Sequence, residues 1–442
     1  MKLFKSRRKR QHTLQVPTRR RLHVSHLELG MYVCELDRPW RQTDFLFQGF
    51  PLLKVEHLQA VRQRCDYVFV DDTRRVSLDQ GTFIVPSATP GRVKRDLPRI
   101  PLSLEVEEAR QAYQASGLVI DQVLIDVQHG RPIDTRSCQV LVKRNLESLL
   151  RNESAMLWLT RLKAQDRYTG LHCLSVSILA MGFGVHLGLS NEKIETLGIA
   201  GLLHDVGKIK VDPRILNKPG KLTSEEFEQI KLHPAFGFQV LQGQADIPPA
   251  AVQAAHAHHE RLDSRGYPLG LDRHQIPFIT RIITIVDAFD AITSHRPYDD
   301  ARPIQVAYDV LRSGGDKQFD EALVHEFIRW LGVFPVGTLV ELHTGEVALV
   351  LEKHEKLHLR PKVVVLRDAE KRPCEARYLD LAQLTVDAQG VAYRISSGLP
   401  DGAYGLYLAD PELQAILHPE LLATLEPESA LNPGARRTQL PL

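Results

Sequence analysis

Apolar residues along the chain follow three rhythms. From Ser103 to Trp330 they recur at spacings of three and four, as in "SLEVEEARQAYQASGLVIDQVLIDVQHG", "SCQVLVKRNLESLLRN" and "NEKIETLGIAGLLHDVG". That spacing lays an apolar stripe along each of a succession of α-helices. Ahead of this block, over residues 22–85, β-type residues mix with Gly and Pro, and "YVFVDD" at Tyr67–Asp72 alternates as a short strand does. After Phe334 the period changes again: "GTLVELHTGEVALVLEK" alternates around Thr344-Gly345, a hairpin pattern, and "KVVVLRD" adds a third strand. Punctuation residues mark the ends. "PSATPGRVKRDLPRIP" (Pro86–Pro101) reads as a linker. Ser190-Asn191 starts one helix, Thr223-Ser224-Glu225-Glu226 opens another, and Gly207 is read as a helix stop.

These rhythms divide the 442 residues into a basic flexible arm (1–21), an N-terminal domain that is β-rich and then helical (22–150), a helical domain (151–335), a C-terminal β module (336–410) and a tail (411–442). The expected fold class is multidomain: a mainly α catalytic domain with a small N-terminal α+β module and a C-terminal β module. Apolar content of 43% and charged content of 25% are those of a globular chain able to bury a core. A net charge of +2 argues against specific DNA binding. The arm "MKLFKSRRKRQHTLQVPTRRR" has no apolar stretch behind it and is read as solvated, with loose attraction to an anionic surface as the second reading. Five scattered cysteines without a C-x-x-C pair, and no membrane-length apolar run, lead to the expectation of a cytoplasmic protein.

Polar residues inside the apolar helices carry the candidate chemistry. "LGIAGLLHDVGK" sets His204 and Asp205 after a long apolar run; "RIITIVDAFDAI" sets Asp287 among Ile, Val and Phe; "LHCLSVSILA" begins with His172. A buried carboxylate costs several kcal/mol, on the order of, unless positive charge meets it. Four such residues on three helices therefore imply a shared cation. Neighbouring helical residues diverge by about 100°, so Asp205 can reach toward a second ion. His233 in "IKLHPAFG" and the vicinal His258-His259 in "AHAHHERLDSRGYP" supply three further imidazoles, while His256 is taken as structural. Each of these histidines alone would pass as an ordinary core or capping residue. Together they exceed what one ion takes, and two ions about 3.5–4 Å apart are the usual arrangement for phosphoester hydrolysis. Imidazole and carboxylate donors admit Fe, Mn, Zn, Co or Ni.

The ordered motifs "TGLH", "LLHDVGKI", "ILNKPGKLTSEEFEQIKLHPAFG", "HHERLDSRGYP" and "RIITIVDAFDAITSHRPY" resemble those of the HD-GYP cyclic di-GMP phosphodiesterases, a branch of the HD superfamily with a helical-bundle fold. The stretch "LGMYVCELDRPWRQTDFLFQGF" resembles an accessory domain of unknown function that often precedes them. The resemblance implies that His172, His204, Asp205 and Asp287 hold one divalent ion, Fe or Mn foremost. It implies that Asp205 bridges to a second ion held by His233, His258 and His259, that Lys208 lies near the substrate phosphate, and that Gly266, Tyr267 and Pro268 border the site. Arg296 is a candidate phosphate contact, with a helix-capping arginine as the plain alternative.

The implied reaction is attack of a deprotonated water on phosphorus, in line with the 3′-oxygen, opening cyclic di-GMP to pGpG, with GMP as the product of a second turn; the end product is pGpG, GMP or both. Other readings from the same residues are a hydrolase of another cyclic dinucleotide, or an adaptor that binds diguanylate cyclases or other signalling proteins through the Gly-Tyr-Pro loop. The C-terminal β module is read as covering the catalytic block or as mediating a homodimer. Three departures from the family pattern stand out: Ser264 replaces a Gly that serves positive φ, Tyr168 stands where a third ion would need an acid (Asp166 falls on another face), and Asp299 replaces a basic residue. Two ions are therefore expected.

Overall fold

A computed structural model describes residues 19–37, 50–52, 55–71, 99–161, 168–294 and 302–416, apart from scattered single positions between 217 and 415. The chain forms two compact units, residues 1–87 and 88–442.

In the first unit, β1 (Arg19–His23), β2 (Tyr32–Leu36), β3 (Phe50–Pro51) and β4 (Tyr67–Asp71) make an antiparallel sheet in the order β1-β4-β2-β3. The predicted alternation in "YVFVD" is realised: Val68 and Val70 are buried and Tyr67 and Phe69 face the other side. The β-rich reading overlooked α1 (Val55–Arg64), whose Leu58 and Val61, three apart, turn into the sheet's core together with Cys65 just beyond the helix. Arg62 donates to the carbonyls of Val24 and Leu27, both at 3.1 Å, and ties the helix to the first strand's exit. The basic arm ends sooner than expected, because Arg19–Arg21 already belong to β1.

In the second unit, α2 (Leu102–Gln128) and α3 (Thr135–Arg151) pair with each other and pack on α5 (Tyr168–His186) and α6 (Asn191–Leu203). Buried Val106, Ala109, Tyr113, Ser116, Ile120, Val123 and Val127 keep the stripe spacing read from the sequence. The boundary drawn at residue 150 therefore does not separate compact bodies: the apolar stripes of α2 and α3 need the bundle to cover them. α4 (Glu153–Leu159), α7 (Pro213–Leu216), α8 (Ser224–Ile230), α9 (His233–Leu241), α10 (Pro249–Ala257), α11 (Phe278–Thr293), α12 (Ile304–Ser313) and α13 (Glu321–Leu331) complete the bundle. Ser190 caps α6, and Thr223 with Glu226 forms the capping box of α8.

Gly207 is not a helix stop. α6 ends at Leu203, and Gly207 lies in the following 3-10 turn, Val206–Lys210. A Cβ there would fall 2.0 Å from the His233 carbonyl oxygen and 2.3 Å from the Gly237 nitrogen. Glycine is required for close backbone approach to α9, not for termination.

The C-terminal module is a five-stranded antiparallel sheet, ordered β8-β7-β6-β5-β9, of β5 (Leu339–Leu342), β6 (Val347–Glu352), β7 (Lys362–Arg367), β8 (Pro373–Asp380) and β9 (Ile395–Leu399). The predicted hairpin turns at Gly345, φ +86°. β6 and β7 are buried on both faces, as their unbroken apolar runs require. The module is anchored to the bundle by Lys353, whose Nζ meets Glu153 Oε2 at 2.6 Å and the Trp330 carbonyl at 2.9 Å. No helix among the described residues is long and apolar enough to cross a membrane.

Candidate metal centre

Five elements deliver the predicted ligands to one point. His172 lies in the second turn of α5, His204 and Asp205 follow the last turn of α6, His233 opens α9, His258 and His259 follow α10, and Asp287 sits inside α11. They fall into two groups, His172–His204–Asp287 and Asp205–His233–His258–His259, each with its donor atoms within 4.8 Å of one another. Asp205 joins them. Its Oδ2 lies 3.6 Å from His172 Nε2 and 3.3 Å from His204 Nε2, and its Oδ1 lies 3.2 Å from His233 Nε2 and 3.6 Å from His258 Nε2. Asp287 Oδ1 is 3.0 Å from His172 Nε2 and 3.7 Å from His204 Nε2. All but His259 are buried, and His259 is half-buried.

The outer nitrogens of three rings decide what the inner ones can do. Nδ1 of His204 faces the Gly201 carbonyl at 2.8 Å, Nδ1 of His233 the Ile230 carbonyl at 2.7 Å, and Nδ1 of His258 the Ala254 and Ala255 carbonyls at 3.1 Å. A carbonyl only accepts, so each ring keeps a proton on Nδ1 and turns Nε2 toward the cluster, where His233 and His258 present lone pairs. His233 Nε2 and His258 Nε2 then point lone pairs at each other across 3.2 Å. Burial pushes His258 down to about 4, against the pull of Asp205, so a shared proton is disfavoured. Burial, reinforced by His258, also pushes His259 well below the usual imidazole value. What such a pair of lone pairs accommodates is a cation.

The carboxylates make the same demand. Burial would raise Asp205, but Lys208, His204 and His233 hold it well below the usual range; burial would raise Asp287, but His172 and His204 hold it down likewise. His204, which burial alone would lower, is held well above its ordinary value by Asp205 and Asp287. The donor set therefore fits divalent ions held by imidazole nitrogen and carboxylate oxygen.

The chain matches three families in order: the domain of unknown function DUF3391 over residues 19–138, the HD domain over 142–323, and the KOW domain associated with HD domain over 339–386. A protein named cyclic di-GMP phosphodiesterase from Pseudomonas aeruginosa is 33% identical over 371 residues, covering 82% of this chain and 89% of that one. The chain belongs to the HD-GYP family of cyclic di-GMP phosphodiesterases. Two other relatives match only in part. A cyclic di-GMP phosphodiesterase of Thermotoga maritima is 36% identical over 37% of this chain and 45% of its own length. A 3′3′-cGAMP-specific phosphodiesterase of Vibrio cholerae is 38% identical over 34% of this chain and 32% of its own.

The loop that carries the HD-GYP signature closes one side of the cluster. Tyr267 stacks on His259, ring centroids 4.8 Å apart at 30°. The Tyr267-Pro268 peptide is cis, and Gly266 crosses so close to Glu260 that a Cβ would come within 2.4 Å of its Cα. Ser264 adopts φ +58°, the conformation expected of the glycine it replaces. Lys208 donates to Asp205 Oδ2 at 2.5 Å and keeps its side chain 24% exposed, facing solvent from the cluster. Arg296, Asp299 and Asp166 lie outside the described residues. His256 stacks on Phe238 away from the ligands.

Two residues escaped the sequence reading. Asp290 Oδ2 lies 2.6 Å from His172 Nδ1, both side chains buried; its signal was the second acid, three residues on, in "DAFD". Glu260, also buried, accepts the backbone N–H groups of Leu269, Gly270 and Leu271 at 2.6, 3.1 and 3.0 Å. It sets the path of the Gly-Tyr-Pro loop, and its signal was an acid directly after the paired histidines.

Proposed function

We infer that this protein is a metal-dependent phosphodiesterase that hydrolyses cyclic di-GMP to pGpG, and onward to GMP. The observation that carries the reading is the placement of Asp205 between two groups of imidazoles, with His172, His204, His233 and His258 turning Nε2 toward it. We assign His172, His204 and Asp287 to one divalent ion, His233, His258 and His259 to a second, and Asp205 to both. Iron or manganese is the choice the family resemblance implies, and the donors equally accept nickel, cobalt or zinc. A pair of divalent ions supplies a water of lowered pKa and positive charge for phosphoryl oxygens.

The chain's own groups do the rest. Carbonyls and Asp290 hold a proton on Nδ1 of these rings, so Nε2 is the nitrogen turned inward, and His204 would give up its second proton to an ion. Lys208 brings its ammonium to the solvent side of Asp205, where a phosphoryl oxygen would gain charge. Tyr267 and Pro268 wall the approach. Attack on phosphorus breaks the bond to the 3′-oxygen, which leaves with a proton, and a linear 5′-phosphate results. The complete ligand set favours hydrolysis over an adaptor with a vestigial site. The exposed turn at Leu269 and Gly270 is our candidate contact for diguanylate cyclases or other signalling partners, and the C-terminal sheet for a homodimer. Five free thiols suit a reducing cytoplasm.

The test is to purify the chain without chelator, count metals, and follow cyclic di-GMP and cyclic GMP–AMP turnover in wild type and Asp205→Ala. The expected result is about two ions per chain, preference for cyclic di-GMP, and loss of both metal and turnover in the variant. Two ions with turnover of neither dinucleotide would overturn the reading.

A further inference from the structure

Beside the Gly-Tyr-Pro loop stands an arrangement that the metal chemistry does not use. α8 contributes no buried residue, and its Phe227 is 45% exposed. The helix is held by its capping box and by the Lys218–Glu226 ion pair at 2.7 Å, not by its aromatic side chain. One turn on, Lys231 places Nζ 5.3 Å from the Phe227 ring centroid and 5.7 Å from that of Tyr267, with Glu228 Oε1 steadying it at 2.7 Å. Tyr267 in turn stacks on the metal-site ring of His259. His259, Tyr267, Lys231 and Phe227 therefore form a ladder of neighbouring groups from the cluster to the surface.

We propose that Phe227 and Lys231 form a guanine subsite for the cyclic dinucleotide, Phe227 offering its face to the base and Lys231 donating to its O6 and N7 edge. The inference rests on a cyclic dinucleotide being the substrate. An exposed aromatic face binds any base by stacking. An ammonium at its margin discriminates, because guanine presents two acceptors on that edge whereas adenine presents an acceptor and an amino donor.

The experiment uses the metal-loaded full chain and three diesters: cyclic di-GMP, cyclic GMP–AMP and the base-free bis(p-nitrophenyl) phosphate. Phe227→Ala is expected to lower kcat/KM for cyclic di-GMP relative to the base-free diester by about ten-fold, mostly through KM, and Phe227→Trp to restore it. Lys231→Met is expected to narrow the preference for cyclic di-GMP over cyclic GMP–AMP. A cyclic dinucleotide bearing 2-aminopurine is expected to be quenched on binding wild type and to stay bright with Phe227→Ala. Equal losses on all three diesters, no loss on any, or unchanged quenching would overturn the subsite while leaving the substrate reading intact. Wild-type cleavage of the base-free diester alone would instead remove the substrate reading, and the subsite with it.

Discussion

Asp290 shows how one carboxylate acts through another residue. By accepting the His172 Nδ1 proton at 2.6 Å, it fixes the ring's orientation and makes Nε2 a better donor. Asp290→Asn is expected to weaken metal binding at the His172–His204–Asp287 group about 10–100-fold, read by chelator competition, with little change in the circular dichroism spectrum. Protonation separates the two groups in the same way. His204 is held well above its ordinary pKa by Asp205 and Asp287, so on acidification its proton competes with metal before that of His258 does. His258 is pushed down to about 4 by burial, so its proton competes only in strong acid. Acidification from pH 8 is therefore expected to release the ion at His172–His204–Asp287 first and the other near pH 4–5, roughly where His258 takes up a proton. Dialysis with metal counting at each pH checks the order, and simultaneous loss from pH 7 downward would contradict it.

At the scale of elements, the site is a set of helix ends brought together. α6 stops at Leu203 so that His204 and Asp205 can face different groups, and the 3-10 turn behind them lies against α9 through Gly207. Gly207→Ala would force that turn away from the His233 carbonyl. Overpacking of this kind costs about 1–3 kcal/mol and occasionally more, and His233 would move with α9. The expected outcome is a clear drop in the urea midpoint and loss of the ion at His233–His258–His259 before that of its neighbour. Sequence punctuation marked Gly207 correctly as special but not its reason, because a helix stop and a close backbone approach both call for glycine and only the packing partner tells them apart. The helices themselves were legible because their apolar stripes are long. α1 was not, since two core contacts along ten residues amid breakers resemble strand and loop.

For the whole molecule, all assigned ligands and the core that positions them lie in the unit of residues 88–442. A truncated chain beginning at residue 88 is expected to fold cooperatively and to bind about two metals, as full-length protein does; thermal melting and metal analysis check this, and an unfolded or metal-free product would show that the first unit is needed for the site. A cut at residue 150, by contrast, would strip α2 and α3 from α5 and α6 and expose their stripes. The family boundaries at 138 and 142 therefore mark sequence modules and not separable bodies.

The sequence by itself determined which residues are the candidate ligands, because imidazoles and carboxylates embedded in apolar helices have few stable fates other than meeting a cation, and their order carries the family signature. It also determined the class of each region, since helical and strand periods are local properties. Only the tertiary structure decided how the ligands divide into two groups, that each oxygen of Asp205 faces one of them, and that Asp290 and Glu260 support them from behind. Those facts depend on crossing geometry and on hydrogen-bond partners more than 100 residues away for Asp290, or on the turning of a loop around Glu260, and no local pattern encodes either.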